Sequence, residues 1–500
     1  MNRPRHATIT DELGLSKSMP ADPARFEWVG RPRAAGTPTV FLGLGPEPEN
    51  LPEWFDLSPT DEVRFVECPA FAAQVDGWAD RVPSRFSRLD PEAVSGSLAA
   101  SASVARYLPA QRAFPSFFAP LTARLAVGGR RKPLGRTVWL PSGKADLLGR
   151  ELALAFRAEG WTVRFQDHES LGKHPGEALP RLLRDGAPDL FLSVNLKGLD
   201  PFGLGFALLR EAGTRVAAWL VDNPFNLLPS VKSAYWRELP LFVTDHTFLG
   251  PLRENGAAHA HHLPLAACPE LFADGTLPEH GHGLEDRLVF VGRSAFPDRE
   301  KFFAGLALAD DAAPAGTTVR RDYFWWRDRL GIAPLWPGNE VRRIAAGAES
   351  SGLAWKRACL AAAGPLTIFG DDGWRDIENA DLRPVVDYYA HLPAIYRRAS
   401  AVLNVTGMQL PGGLTQRHFD VWCAGGFLLT DAHAGLDIFP RELTDPIAFA
   451  RPDDIRPLFE RYRAESPEKR ELRSLWRELI LREHTYATRV AALLTALALP

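Results

Sequence analysis

The chain has 500 residues, 46% of them hydrophobic and 24% charged, which excludes wholesale disorder and leaves room for about three domains. Its 58 basic residues stand against 61 acidic ones, a net charge of -3, so there is no basic surplus for general polyanion binding and no nucleic-acid partner is expected. The four cysteines, Cys68, Cys268, Cys359 and Cys423, form no C-x-x-C pair and suit a reducing compartment. The opening MNRPRHATITDELGLSKSMP lacks an apolar core of signal-peptide length, and no run of 18 apolar residues follows, so the expectation is a cytoplasmic protein with no transmembrane segment.

Residues 1–36 are polar and proline-rich and read as a ragged start. TPTVFLGLGP (37–46) and EVRFVECP (62–69) read as strands, and 92–127 as helical. GGRRKPLGR (128–136) reads as a connector whose four basic residues are solvated. A new unit opens at 136–167 as strand, short polar loop, amphipathic helix, glycine and strand. Strands follow at 187–198, 214–224, 239–246 and 259–267, then a glycine-rich linker at 272–287. LVFVGRSA (288–295) starts a second strand and glycine loop, and 297–362 reads as mostly helical. A strand at 364–374, a short one near 383–389, a helix at 414–424, a strand at 427–431 and one long closing helix from Ser466 complete the chain. Strands alternating with helices predict parallel sheets. The fold class is therefore α/β, with two doubly wound Rossmann-like domains facing a cleft, an N-terminal α/β extension and a closing C-terminal helix. The expected boundaries are 1–135, 136–280 (acceptor side) and 281–500 (donor side).

The most informative segment is LPAIYRRASAVLNVTGMQLPGGLTQRHFDVWCAGGFLLTD, 392–431. Pro411, Gly412 and Gly413 break the chain before a helix, whose orphan amides and macrodipole favour an anion. Gln416 and Arg417 stand in its first turn, where an arginine fork suits a diphosphate. Asp420, a turn further, is placed to accept sugar hydroxyls, and Gly425 and Gly426 end the helix.

This segment resembles the glycosyltransferase-like proteins of the spore-maturation CgeB type, among the group 1 glycosyltransferases of GT-B fold. LTIFGDDGW (366–374), AWLVDNPF (218–225), HHLPLAACPELF (261–272) and EHTYATRV (483–490) fit the same resemblance, which spans roughly 185–495. It implies an enzyme that moves a sugar from a nucleotide-diphospho-sugar to an unidentified acceptor, with no resident cofactor. It also implies donor contacts at Arg293, Asp371, Asn404, Gln416, Arg417, Gly425 and Gly426. The wider family carries two glutamates eight residues apart. With Asp420 at the second position, the first falls on Gly412, where the carboxylate is missing.

On the acceptor side, Asp222 ends an apolar strand where a parallel sheet presents its ligands, so it is the candidate general base, with Asn223 setting the turn. Asp245 and His246 end the next strand in the same way, and alternation along an extended chain would send only one of them into the cleft. Asp222 and Asp420 are the catalytic candidates. His259, His261, His262, His280 and His282 lack the convergent carboxylate or cysteine partners of a metal motif, and no D-x-D follows a strand, so no metal is expected. Tyr323, Phe324, Trp325 and Trp326 read as packing. Three alternatives stand beside the transferase: a non-catalytic sugar- or nucleotide-binding protein, a sugar-nucleotide epimerase, and an assembly factor docking a partner through its first 135 residues.

Overall fold

A computed structural model of the protein describes residues 6–29, 33–34, 36–142, 146–272, 274–306 and 320–500. Part of the loop after the strand at 137–141 and all of 307–319 within the helical stretch lie outside the described residues. Three α/β units follow one another along the chain, each built on its own sheet.

The first sheet orders its strands Phe26–Val29, Ser103–Tyr107, Thr39–Leu42, Val63–Val66 and Ser87–Arg88. The first pair is antiparallel and the rest are parallel. Two expectations change here. Within 1–36, the described residues form a hairpin, His6–Thr10 with Ser16–Pro20, and an edge strand of this sheet. Within 92–127, the segment SVARY is a buried strand between two helices, paired on both sides. Five residues between alanine-rich helical stretches are too few for the period-2 pattern to stand out, and tertiary pairing decides their conformation.

The second and third sheets are six-stranded and fully parallel. The second runs Thr162–Gln166, Thr137–Pro141, Leu190–Val194, Arg215–Leu220, Pro240–Val243, His259–His262. The third runs Ala380–Arg383, Leu366–Phe369, Leu288–Val291, Ala401–Asn404, Leu428–Asp431, Ala448–Phe449. In chain order that third sheet is 3-2-1-4-5-6, the Rossmann arrangement. The strand order therefore reverses between Leu288–Val291 and Ala401–Asn404, and a crevice opens at their carboxyl ends. The central strands are apolar on both faces, as helices covering both sides of a parallel sheet require. The two facing Rossmann-like units are those of the GT-B arrangement.

The stretch 297–362 contains helices Arg299–Phe302, Tyr323–Leu330 and Val341–Ala362. The short strand lies at Ala380–Arg383, just before 383–389. The closing helix is two helices, Pro467–Glu483 and Tyr486–Ala496. Thr485 breaks them: its side chain caps the second helix in a reciprocal box with Thr488, and its backbone bridges to Ala267. The second of these helices buries Tyr486, Val490 and Leu493 with Leu140, Leu152 and Phe156 of the middle unit. The chain end thus returns to the unit opposite the one it leaves. Among the described residues no helix is long and apolar enough to cross a membrane.

Two adjacent glycines end the helix Arg417–Cys423 for different reasons. Gly425 has φ +80°, the left-handed turn after a helix. A Cβ on Gly426 would sit 2.5 Å from the carbonyl oxygen of Tyr396, a backbone atom with no freedom to yield. Gly426→Ala is expected to cost about 1–3 kcal/mol through overpacking. Gly407→Ala, where an added Cβ meets nothing within 4 Å, is the neutral control. Paired urea unfolding curves check this, and equal midpoints for the two variants would contradict it.

Candidate active site

Arg417 lies across the crevice of the third sheet. Its Nη1 donates to the carbonyl oxygen of Val291 at 2.6 Å, at the end of one central strand. Its Nε donates to Asn404 Oδ1 at 2.9 Å, at the end of the other. The guanidinium lies 5.7 Å from the centre of the Phe290 ring and is half-buried, with no carboxylate ion pair among the described residues. Asn404 is fully buried and serves as a hub. Its Oδ1 also accepts from Thr415 Oγ1 at 2.8 Å, and its Nδ2 donates to Thr430 Oγ1 at 3.0 Å. Asn404 therefore orients Arg417 and is itself closed to a ligand.

Arg293, two residues beyond the strand Leu288–Val291, is exposed and has no hydrogen bond or ion pair among the described residues. The loop that carries it is rigid. Asp371 accepts the Ser294 N–H at 3.1 Å and the Gly373 N–H at 3.1 Å, and Trp374 Nε1 donates to the Gly292 carbonyl at 2.9 Å. Asp371 thus braces the loop through its amides. A third cation escaped the sequence reading. Lys356, on the helix Val341–Ala362, is half-buried and also lacks a hydrogen bond or ion pair among the described residues. Burial lowers its proton affinity; Glu349 opposes that shift, and nearby Arg417 adds to it. A lone lysine on a 22-residue helix reads as surface, and only its position against Arg417 in three dimensions marks it.

Asp420 and Gln416 face a different way from the sequence expectation. Asp420 is 1% exposed; its Oδ2 accepts from the Tyr388 hydroxyl and its Oδ1 from Gln416 Nε2 at 3.1 Å. Both oxygens are thus engaged within the protein rather than open to sugar hydroxyls. Burial pushes the carboxyl well above the usual range, against the pull of Tyr388 and Gln416, while buried Glu151 raises it further. Gln416 joins the two Rossmann-like units: Nε2 donates to the Ala266 carbonyl at 2.6 Å and Oε1 accepts from the Tyr486 hydroxyl at 3.0 Å. Gly425 and Gly426 shape the backbone below this layer.

Across the cleft, Asp222 is exposed just beyond the strand Arg215–Leu220. Its Oδ2 accepts from Asn195 Nδ2 at 2.7 Å. Desolvation by the cleft walls raises its carboxyl, with Asn195 and Lys197 pulling the other way. Asn223 is buried: its Oδ1 caps the Phe225 N–H, and its Nδ2 donates to the Gln409 carbonyl of the opposite unit at 2.9 Å. Asp245 is buried as well, accepting the Thr247 N–H at 2.9 Å and the Gly412 N–H at 3.0 Å. His246 does not point away from Asp245. The chain turns into a 3-10 helix at His246, so the extended alternation does not apply, and both residues abut Gly412.

That packing accounts for the missing glutamate. A Cβ at Gly412 would lie 2.8 Å from Thr247 Cγ2, 2.9 Å from Asp245 Oδ1 and 2.9 Å from His246 Cε1. A side chain there would force these three neighbours to shift while the two units are joined. Among the histidines of 259–282, His261 stacks on Phe242 at 5.3 Å and His262 meets His246 edge-on at 5.5 Å. Of the four aromatics, Tyr323 and Trp326 are buried, and Trp326 Nε1 donates to Ser351 Oγ at 2.9 Å.

The raised Asp420 carboxyl has a stability consequence. The folded state keeps the proton, whereas the unfolded chain releases it above about pH 3.9. The contribution of Asp420 to stability therefore falls as pH rises beyond that point toward its raised folded value. Asp420→Asn does not titrate, so its stability relative to the native protein is expected to improve as pH rises above about 4, up to the point where the native carboxyl ionises in the folded state as well. Urea midpoints across that range measure this, and a constant difference would refute it.

Residues 353–495 match the family model described as Glycosyl transferase-like, a span that contains Lys356, Asn404, Gln416, Arg417 and Asp420. Among solved structures, the chain is similar to an alpha-glucosyltransferase (AGT) in complex with UDP, at 13% identity and TM-score 0.42, covering 74% of this chain and 100% of that one. It is similar to Anabaena HepE in complex with UDP and glucose at 10% identity and TM-score 0.40, covering 72% and 99%. A third structure, described as trehalose-6-phosphate from E. coli bound with UDP-2-fluoro glucose, shows 13% identity and TM-score 0.37, covering 92% and 99%. No curated protein matches the chain. The chain carries a glycosyltransferase-type enzyme domain in the carboxyl-terminal unit of a GT-B architecture.

Proposed function

We propose that the protein is a cytoplasmic glycosyltransferase of the CgeB-like type, which moves a sugar from a nucleotide-diphospho-sugar to an acceptor still to be identified. The observation that carries this reading is Arg417 at the strand-order reversal, hydrogen-bonded to both central strands, with Arg293 and Lys356 beside the same crevice and free of carboxylate partners among the described residues. Ligands of open α/β sheets bind in that crevice. Three uncompensated cations there suit a diphosphate, and guanidinium forks match its paired oxygens.

The chemistry follows from where charge develops. As the bond between sugar and diphosphate breaks, negative charge grows on the leaving oxygens, and fixed cations in a desolvated crevice stabilise that state. In this reading the task falls to Arg293, Lys356 and Arg417 and uses no metal or cofactor. Across the cleft Asp222, with Asn195 holding one oxygen, takes the proton from the acceptor hydroxyl. Its raised carboxyl must be ionised to act, so the rate falls as pH drops through a value above the ordinary aspartate range.

A second reading, a non-catalytic binder of sugar nucleotides, draws on Gly412 and Asp420: one position has no carboxylate and is crowded by Asp245, His246 and Thr247, and the other carboxylate is already engaged. Two variants separate the readings. Asp222→Asn is expected to lower kcat by about 100-fold or more while leaving nucleotide affinity unchanged. Full turnover in this variant would exclude Asp222 as the base. Lys356→Met is expected to weaken UDP binding about tenfold, roughly 1.4 kcal/mol, read by calorimetry. A panel of nucleotide sugars, followed by thermal shift and slow donor hydrolysis, tests the transferase itself. Absence of any response to the whole panel would overturn it.

A further inference from the structure

The basic connector 128–136 is not only a solvated tether; it walls a cavity remote from the crevice. This cavity, about 660 Å³, lies at the seam where the helix Pro115–Val127 of the first unit meets the helix Leu204–Glu211 of the second. Arg124, Arg130, Arg210 and Arg215 line it against only two glutamates, Glu211 and Glu238, in a chain whose net charge is -3. Two of the arginines are already engaged. Arg210 pairs with Glu238, and Arg124 donates to the Pro91 carbonyl at 2.9 Å. Arg130 and Arg215 have no hydrogen bond or ion pair among the described residues.

The backbone holds these two forks at one site. The Arg131 N–H donates to the Ala212 carbonyl at 3.0 Å and pins the connector to the turn before Arg215. Gly213 has φ +91°, and a Cβ there would lie 3.1 Å from Arg130 Nε, so glycine lets the connector and the turn close together. Thr214, next to Arg215, is 4% exposed and contributes to the cavity wall. Ser116 and Ser233, with hydroxyl oxygens 3.4 Å apart, and the Tyr235 ring also line it; the Ser116 hydroxyl donates to Glu12 Oε1 at 2.8 Å, which leaves its oxygen to accept.

We propose that this cavity binds a phosphorylated sugar at a site separate from the donor crevice. Arg130 and Arg215 grip the phosphate with paired N–H donors, and the serine oxygens accept from the sugar hydroxyls over the Tyr235 ring. Such a mix of a few convergent polar groups and an apolar wall is that of small-molecule sites. The strand Arg215–Leu220 separates the two sites: the cavity lies at its amino end and Asp222 beyond its carboxyl end, roughly 20 Å away at about 3.3 Å per residue. A ligand here spans the first and second units and holds their seam together.

Calorimetric titration of the full chain with glucose 6-phosphate, inorganic phosphate and glucose tests this. Glucose 6-phosphate is expected to bind saturably, inorganic phosphate more weakly and glucose not at all. The double variant Arg130→Ala, Arg215→Ala is expected to weaken glucose 6-phosphate binding at least tenfold with UDP affinity unchanged. Arg215→Lys, which keeps the charge and loses the fork, is expected to fall between. An unchanged unfolding midpoint without ligand confirms that the variants fold. A phosphorylated oligosaccharide in the same titration separates the sources: exclusion assigns the site to a free sugar phosphate, and equal binding to a chain-borne one. Absence of glucose 6-phosphate binding, or equal affinity in the native protein and the double variant, would overturn the site. Glucose 6-phosphate binding no tighter than inorganic phosphate would overturn its sugar specificity.

Discussion

The guanidinium of Arg417, bound to the ends of two adjacent parallel strands, is the constraint on which the candidate site depends. A parallel sheet whose strand order reverses must leave a gap where its helices diverge to opposite faces. Arg417 bridges that gap from the start of the helix Arg417–Cys423, and Asn404 below it is saturated with hydrogen bonds so that it can hold Nε in place. The bracing of the Arg293 loop by Asp371 and Trp374, and the approach of Lys356 from its helix, build a positive crevice around that fixed point. Cations that outnumber the carboxylates in direct contact with them are unfavourable by themselves. Their persistence together is what makes an anionic ligand the economical explanation.

Joining the two Rossmann-like units uses side chains that the sequence suggests for ligand contact. Gln409 receives Asn223 and Asn226, Gly412 meets Asp245, and Gln416 reaches Ala266 and Tyr486. These are hydrogen bonds in poorly hydrated surroundings, where an unpaired group is costly. The same seam explains a glycine at 412: the loop approaches Asp245, His246 and Thr247 too closely for a Cβ. The last helix adds a mechanical tie, since Thr485 bridges to Ala267 before the chain packs on the middle unit.

Charge is distributed locally rather than globally. A chain of net charge -3 concentrates free cations in two places, the crevice of the third sheet and the seam between the first two units. The first is built on strand ends and the second on a connector pinned to a turn. In both, backbone hydrogen bonds bring arginines to positions that side-chain pairing alone would not favour.

The sequence by itself determined the parallel α/β architecture, because buried strands and amphipathic helices alternate in ways that admit few other folds. It also marked the helix start after Pro411, Gly412 and Gly413 and the strand end at Asp222, through glycines, proline and a polar turn. It did not reveal the strand Ser103–Tyr107 or the break at Thr485, since short elements between helices take their conformation from what they pair with. Nor did it reveal Lys356, or which of Gln416, Arg417 and Asp420 faces a ligand. Three residues within one and a half turns of helix look equivalent in sequence. Only packing against Ala266, Tyr388 and Val291 turns one toward the seam, one into the core and one across the crevice. Local pattern fixes which residues stand at the end of a strand or the start of a helix, whereas contacts between residues distant in the chain fix where their side chains point.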